Sequence, residues 1–119
     1  MGLDMWLYNK ENEEVMYWRK SNQIRGWFVE HNIIQDDDNC VKRIVTIENL
    51  KDLLEDCKRV LADHSLAEKV LPCTQGFFFG SDAYDEYYFD DLQETVDTLQ
   101  PIIDNADKDH DHFIYEDWW

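Results

Sequence analysis

Two neighbouring stretches decide the fold predicted for this chain: Gly76-Phe-Phe-Phe-Gly80, and Tyr84-Asp-Glu-Tyr-Tyr-Phe-Asp-Asp-Leu-Gln-Glu-Thr-Val-Asp-Thr-Leu99. Three phenylalanines between two glycines predict a short strand that enters a core and ends in a tight turn at Gly80. Ser81 and Asp82 then offer a helix N-cap, because both residue types cap helices well. Apolar residues recur at helical spacing after that point, so the second stretch predicts a helix with one core-facing stripe. The stripe consists of Tyr84, Tyr88, Leu92, Val96 and Leu99.

The same predicted helix carries carboxylates and no Lys or Arg. Its first turn contains two of these acids, which complement the positive end of the helix dipole. A helix with this much unbalanced negative charge presents an acidic surface, and we expect that surface to bind a partner. The candidate partner-binding residues are Asp85, Glu86, Asp90, Asp91, Glu94 and Asp97.

The net charge of -16 is distributed unevenly along the 119 residues. Residues 1–73 hold 14 acids and 10 bases, a net of -4, whereas residues 74–119 hold 13 acids and one base, a net of -12. Such a field repels nucleic acids and membranes and attracts basic proteins. The alternative interpretation is that the surplus acid only keeps the protein soluble.

Length and composition predict a single domain that spans residues 1–119. The aromatic content allows a substantial core, and no apolar run is long enough for a transmembrane helix. The N-terminus has no basic region of a secretory signal, so we expect a cytoplasmic protein. Cys40, Cys57 and Cys73 are odd in number and widely spaced, which favours buried or half-buried free thiols over a disulfide framework.

The remaining pattern predicts an α+β fold, with a small antiparallel sheet packed against three to four helices. We expect the sheet to combine the two ends of the chain with the Phe strand. Val41 to Val45 fits either a short strand or the approach to the next helix. The predicted strands are Leu3 to Tyr8, Glu13 to Tyr17 and Phe113 to Trp119, and the predicted helices are Lys20 to Asn32, Ile47 to Leu61 and Ser65 to Leu71. Thr46 is the expected cap of the second helix, and Pro101 is expected to end or kink the acidic helix.

No motif for a nucleophile, a phosphate-binding loop or a dinucleotide site is present, so catalytic residues and cofactors are not predicted. His31 falls on the apolar face of its predicted helix, which is typical of a core histidine. Asp107, Asp109 and Asp111 match the first positions of an EF-hand loop. The match then fails, because His112 stands where Gly is needed and Trp118 where a bidentate Glu is needed. The sequence therefore predicts no metal site.

The most site-like feature of the N-terminal half is a polar cluster, Trp18-Arg19-Lys20 with Asn22, Arg25 and Trp27. Arginine and tryptophan together can hold a phosphate or a flat ring. A small-ligand or nucleotide pocket there would use Trp18, Arg19, Asn22 and Tyr87. The alternative is that the cations of this region pair with the acidic helix across the fold.

Several stretches resemble a family of small, uncharacterised phage and prophage proteins. They are Met1-Gly-Leu-Asp-Met-Trp-Leu-Tyr, Tyr17-Trp-Arg-Lys-Ser-Asn-Gln-Ile, Gly76-Phe-Phe-Phe-Gly-Ser and Tyr84-Asp-Glu-Tyr-Tyr. The similarity extends from residue 1 to about residue 100. The Phe113 to Trp119 segment also resembles the aromatic strand that often ends these proteins, whereas the Asp107 to His112 loop departs from their pattern. The resemblance implies a mobile-element context in a host cytoplasm and supplies no catalytic residues.

These features predict a non-enzymatic accessory protein of the phage type that binds and inhibits a basic host protein. The mode would be mimicry of nucleic-acid charge, as in anti-CRISPR or anti-restriction proteins. Six carboxylates along about 22 Å of helix give about half the charge density of duplex DNA. The alternatives are the small-ligand protein with the pocket described above, and a subunit of a virion or of another oligomer.

Overall fold

The computed structural model describes residues 2–74, 83–107 and 109–119. Within them, four strands form one antiparallel sheet in the order β2-β1-β4-β3. The strands are β1 (Asp4–Asn9), β2 (Glu14–Arg19), β3 (Arg43–Val45) and β4 (Phe113–Trp118). Helices pack against one face of this sheet, so the predicted α+β class is confirmed.

The two ends of the chain meet in the middle of the sheet, as predicted. Leu3, Met5 and Leu7 alternate with polar or half-buried residues, and all three are fully buried. A turn at residues 9–12 connects β1 to β2, and Asn12 adopts a left-handed φ of 64°, which asparagine tolerates well. The strand expected at Phe77 to Phe79 lies outside the described residues. Arg43–Val45 is a strand, paired with β4 at the edge of the sheet.

Four helices occur in the described residues: α1 (Asn22–Glu30), α2 (Ile47–Ala62), α3 (Ala67–Val70) and α4 (Glu86–Asp104). Thr46 caps α2 as predicted, since its hydroxyl accepts the Asn49 N–H at 3.1 Å. The helix predicted to begin at Ser65 is preceded by a short turn, and α3 itself begins at Ala67. Asp63 rather than Ser65 starts the turn, and its carboxylate accepts both the N–H and the hydroxyl of Ser65.

Helix α4 is shifted relative to its prediction at both ends. It begins at Glu86, where the Asp85 carboxylate accepts the Tyr88 N–H and acts as the cap. The expected cap at Ser81 and Asp82 lies outside the described residues. Pro101 does not end the helix, which continues to Asp104. The extra turn is held by Asn105, whose backbone and side-chain N–H groups both donate to the Pro101 carbonyl.

The core lies between the sheet and the helices. Trp18 on β2 is 3% exposed and donates its indole N–H to the Thr95 hydroxyl of α4 at 2.8 Å, which joins the sheet to that helix. Ile24, Trp27 and Phe28 bury the predicted face of α1. His31 does not join them, because α1 ends before it. Its ring is exposed and stacks on Trp27 with the ring centroids 3.9 Å apart.

A buried ion pair fixes the C-terminal strand to α1. The Arg25 guanidinium donates to the Asp117 carboxylate at 3.0 Å, and both side chains are 1% exposed. Arg25 also donates to the carbonyls of Asp36 and Asp38, and Tyr115 donates its hydroxyl to Asp117. These bonds satisfy charges that would be costly to bury alone. None of the helices in the described part of the chain has the length and apolar character required to cross a membrane.

Candidate functional site

One side of α4 carries an unbroken row of exposed carboxylates. Glu86, Asp90, Glu94 and Asp97 follow each other at helical spacing and are all exposed. At about 100° per residue they lie opposite Tyr88, Leu92 and Leu99, the side chains that bury the helix. Asp104 lies on the same side of the helix, because it follows Glu86 by five full turns. It therefore extends the row about two turns beyond Asp97. We call this surface the acidic stripe; it consists of Glu86, Asp90, Glu94, Asp97 and Asp104.

No cation forms an ion pair with the acidic stripe in the described residues, although Lys51 and Lys58 of α2 line one cavity with Asp104. Asp97 and Asp104 accept hydrogen bonds from glutamine amides of their own helix, Gln93 and Gln100. The expectation that the cations of the β2–α1 region pair with this helix is wrong for this part of the chain. Arg25 pairs with Asp117 and Asp36 instead.

Two of the predicted partner-binding acids lie apart from the stripe. Asp85 is exposed, but its carboxylate already accepts the Tyr88 N–H as the cap of the helix. Asp91 is half-buried on the flank of α4, where its Oδ2 atom accepts the Ser21 hydroxyl at 2.9 Å and the Gln23 amide at 3.5 Å. Burial raises the pKa of the Asp91 carboxyl, and these two hydrogen bonds oppose the rise. Asp91 therefore holds α4 to the start of α1.

A cavity of about 280 Å³ opens beside Asp91, between the β2–α1 junction and the start of α4. It brings together residues that are about 70 positions apart in the chain. Its lining consists of Arg19, Lys20, Gln23, Cys73, Ala83, Asp85, Tyr87, Tyr88 and Asp91. Four of the nine lining side chains are charged, two cations and two carboxylates, so the cavity offers both hydrogen-bond donors and acceptors to a ligand.

The four residues predicted for a ligand pocket divide into two pairs. Arg19 and Tyr87 line the cavity. Trp18 and Asn22 are buried behind it, at 3% and 1% exposure. Asn22 holds the neighbouring chain segment, because its side-chain oxygen accepts the Thr74 N–H at 3.0 Å and its carbonyl accepts the Thr74 hydroxyl at 3.1 Å.

Gly26 allows this approach of Thr74 to α1. A Cβ atom at residue 26 would lie 2.6 Å from the Thr74 methyl group, which is closer than two carbon atoms can pack. Because Gly26 has no side chain and Asn22 accepts two hydrogen bonds from Thr74, Thr74 packs closely against α1. This contact positions the neighbouring residue, Cys73, which lines the cavity.

Lys20 has an unusual backbone at the edge of the cavity. Its φ of 56° lies in the left-handed region, which lysine rarely adopts. Its N–H donates to the Leu3 carbonyl at 2.7 Å, which maintains this conformation and turns the chain from β2 into α1. Strained residues of this kind are concentrated at functional sites.

Sequence reasoning placed Lys20 in the polar cluster but missed four other cavity residues, namely Gln23, Cys73, Ala83 and Tyr88, and it assigned Asp85 and Asp91 to the partner surface. A signal for part of this set exists: Tyr87 and Asp91 are four residues apart and therefore share one flank of α4. No local pattern connects that flank to residues 19–23.

The other acidic segments are held by local hydrogen bonds. Asp38 pairs with Arg43 at 3.1 Å, and the Arg43 guanidinium lowers the pKa of Asp38. In the loop before β4, Asp111 accepts the Asp107 N–H and pairs with Lys10 at 3.0 Å. His110 contacts Asp107 at 2.6 Å. The described residues contain no group of three metal-ligating side chains.

The three cysteines differ in environment. Cys57 is buried in α2, and burial raises the pKa of its thiol to about 12, which makes it unreactive. Cys73 is half-buried and lines the cavity, whereas Cys40 is exposed rather than buried as expected.

Comparison of the chain with protein-family models, curated proteins and solved structures gave no match.

Proposed function

We propose that this protein is a non-enzymatic accessory protein that docks through the acidic stripe on a basic surface of a host protein and inhibits it. The observation that supports this proposal is the row of five exposed carboxylates without an ion-pairing cation in the described residues. In a stripe of one sign, each charge reinforces the field of the others. A basic partner would replace the missing counter-charges.

The spacing of the stripe defines which anionic polymer it can imitate. Glu86 and Asp104 are 18 residues apart, which corresponds to about 27 Å of helix. Five carboxylates over that length give about one charge per 5 Å, against one per about 3.4 Å along a single DNA strand. The density is about a third of the duplex value, because Asp85 and Asp91 do not belong to the stripe. We therefore propose that the stripe imitates one strand rather than a duplex.

The resemblance to phage and prophage proteins supports a partner in the host cytoplasm. Proteins that bind nucleic acids carry basic grooves, and such a groove is complementary to a straight row of carboxylates. Nucleases and restriction or CRISPR effectors belong to this class of target. In this proposal the inhibitor and the nucleic acid compete for the same cationic surface.

The experiment is a pull-down from host lysate with the wild-type protein and a stripe variant. The stripe variant carries Glu86→Lys, Asp90→Lys, Glu94→Lys and Asp97→Lys, which changes the net charge from -16 to -8. We expect the wild type to retain a nucleic-acid-binding protein at low salt and to release it at high salt, because screening weakens exposed charge pairs. Single-stranded DNA added to the beads should displace the same protein.

A matched control separates the position of the charge from its amount. The variant with Glu11→Lys, Asp52→Lys, Glu55→Lys and Glu68→Lys also has a net charge of -8, and its four sites are exposed and lie outside α4. We expect the control to retain the partner and the stripe variant to lose it. Equal capture by the stripe variant and the wild type, with the same salt dependence, would refute the proposal.

A further inference from the structure

The cavity between the β2–α1 junction and the start of α4 has features that docking through the acidic stripe does not use. It lies on the flank of α4 that carries Tyr87 and Asp91, next to the acidic stripe, whose Glu94 and Asp90 carboxylates add to the effect of burial in raising the pKa of Asp91. Thr74, next to the lining residue Cys73, donates two hydrogen bonds to Asn22, and Ser21 and Gln23 donate to Asp91 in the cavity wall. A preformed cavity of this kind can bind a ligand without a large ordering cost.

Two adjacent cations face this cavity without a carboxylate partner. Neither Arg19 nor Lys20 forms an ion pair within the described residues. This is unusual in a chain that contains 27 acidic and 11 basic side chains, with Asp85 and Asp91 in the same cavity wall. The two cations are therefore available to an anionic group such as a phosphate.

The cavity also offers an acceptor for N–H groups. Both hydrogen bonds to Asp91 end on its Oδ2 atom, and Oδ1 has no hydrogen-bond partner in the part of the chain that is described. A half-buried carboxylate oxygen with a free lone pair gains from an N–H donor of a ligand. Inorganic phosphate cannot supply that donor, whereas the ring nitrogens and amino groups of a nucleobase can.

Tyr87 provides a surface for a flat ring. Its side chain is 71% exposed although it lines the cavity, and tyrosine faces stack on nucleobases in a sequence-tolerant way. The volume of about 280 Å³ is close to the lower limit of about 300 Å³ for small-molecule pockets. It suits a compact ligand and is small for a dinucleotide cofactor.

We propose that this cavity binds a purine nucleoside monophosphate. The phosphate contacts Arg19 and Lys20, the purine stacks on Tyr87, and an N–H group of the base donates to Asp91. None of the acidic-stripe residues lines the cavity, so nucleotide binding and docking through the stripe can be tested with separate variants, and each proposal can fail without the other.

Titration calorimetry with the full chain tests the proposal with GMP and AMP as probes. Ribose 5-phosphate supplies the phosphate without a base, guanosine supplies the base without a phosphate, and free tyrosine supplies a ring with a zwitterionic end. We expect at least one of the two nucleotides to bind about tenfold or more tightly than each of the three partial ligands, because both ends of the nucleotide are held. Ribose 5-phosphate or tyrosine binding as tightly as the nucleotides would overturn the assignment, as would the absence of binding by both nucleotides.

Variants then locate the site. Arg19→Gln combined with Lys20→Gln should weaken nucleotide binding about tenfold or more. The control, Lys42→Gln with Lys51→Gln, removes two exposed cations elsewhere and should leave the affinity within about twofold. Tyr87→Ala should weaken GMP or AMP by about tenfold and leave ribose 5-phosphate unaffected, because only the stacking contact is lost. Equal loss in the control pair, or an unchanged affinity in both cavity variants, would place the nucleotide elsewhere and refute the proposal.

Discussion

Helices α2 and α4 pack side by side and solve the same folding problem with opposite charge patterns. They are 16 and 19 residues long, each is capped by a side chain, and each buries a stripe of apolar residues in the core. Between Ile47 and Ala62, α2 carries four acids and three bases, a net of -1. Between Glu86 and Asp104, α4 carries six acids and no base, a net of -6.

The difference shows that the charge of α4 is not required for folding. The apolar stripe positions both helices, and the mixed surface of α2 already meets the demands of solubility. Acids four residues apart on α4 repel each other at a cost of about 0.2–0.5 kcal/mol per pair. On α2 two acid–acid pairs at that spacing are offset by two acid–base pairs, Lys51 with Glu55 and Glu55 with Arg59. A surface that reduces the stability of its own helix is consistent with selection for binding, which is the role proposed for the acidic stripe.

The largest expected effect tests whether the two helices are equivalent as scaffold. Leu53→Ala in α2 and Leu92→Ala in α4 each remove a fully buried side chain. We expect each variant to lose about 2–5 kcal/mol of unfolding free energy, because transfer and cavity terms add. Urea unfolding followed by circular dichroism measures both. A loss below about 1 kcal/mol for Leu92→Ala alone would show that α4 packs loosely and that the comparison does not hold.

Much of this scaffold could be predicted from the sequence, because it depends on local signals. The period-two pattern of Leu3, Met5 and Leu7 identified β1, and the Thr46 cap with the leucines that follow identified α2. Such signals fix the type of an element better than its ends. The end of α4 was misjudged because Asn105 secures one more turn after Pro101, and this bond is not visible as a pattern.

The candidate sites were less predictable, because they depend on contacts between distant segments. The stripe follows from the spacing of Glu86, Asp90 and Glu94 alone, so periodicity was sufficient to find it. The inward position of Asp91 depends on Ser21, 70 residues earlier in the chain. The cavity similarly requires the chain reversal at Lys20 to meet the start of α4, which composition and periodicity do not encode.

A smaller effect should distinguish the two helix surfaces directly. Asp90→Lys places a cation between Glu86 and Glu94, so we expect it to stabilise the protein by about 0.5–1 kcal/mol. Glu55→Lys makes the same charge change on α2 but places a cation beside Lys51, Lys58 and Arg59, so it should destabilise by a similar amount. Urea unfolding at low ionic strength measures both changes, and 1 M salt should reduce them. Effects of the same sign would contradict the proposed difference between the helices.

The smallest expected effect concerns Asp91, the acid of α4 that turns inward. Because burial raises its pKa in the folded protein, the folded state keeps the proton to a higher pH than the unfolded state does. The stabilising contribution of Asp91 is therefore complete below the ordinary aspartate pKa of about 3.9 and is lost as the pH rises through the raised value. An asparagine at this position cannot ionise, so Asp91→Asn removes the loss of stability at higher pH while it keeps an oxygen acceptor for Ser21 and Gln23. The unfolding free energy of the variant, relative to that of the wild type, should therefore increase from acidic to neutral pH. The hydrogen bonds to the carboxylate already offset part of the burial, which keeps the effect small.

Asp90→Asn makes the same charge change on the exposed side and serves as the control in urea titrations across this pH range. If the unfolding free energies of the two variants depend on pH in the same way, Asp91 is solvated like the residues of the acidic stripe, and α4 presents all of its acids to a partner.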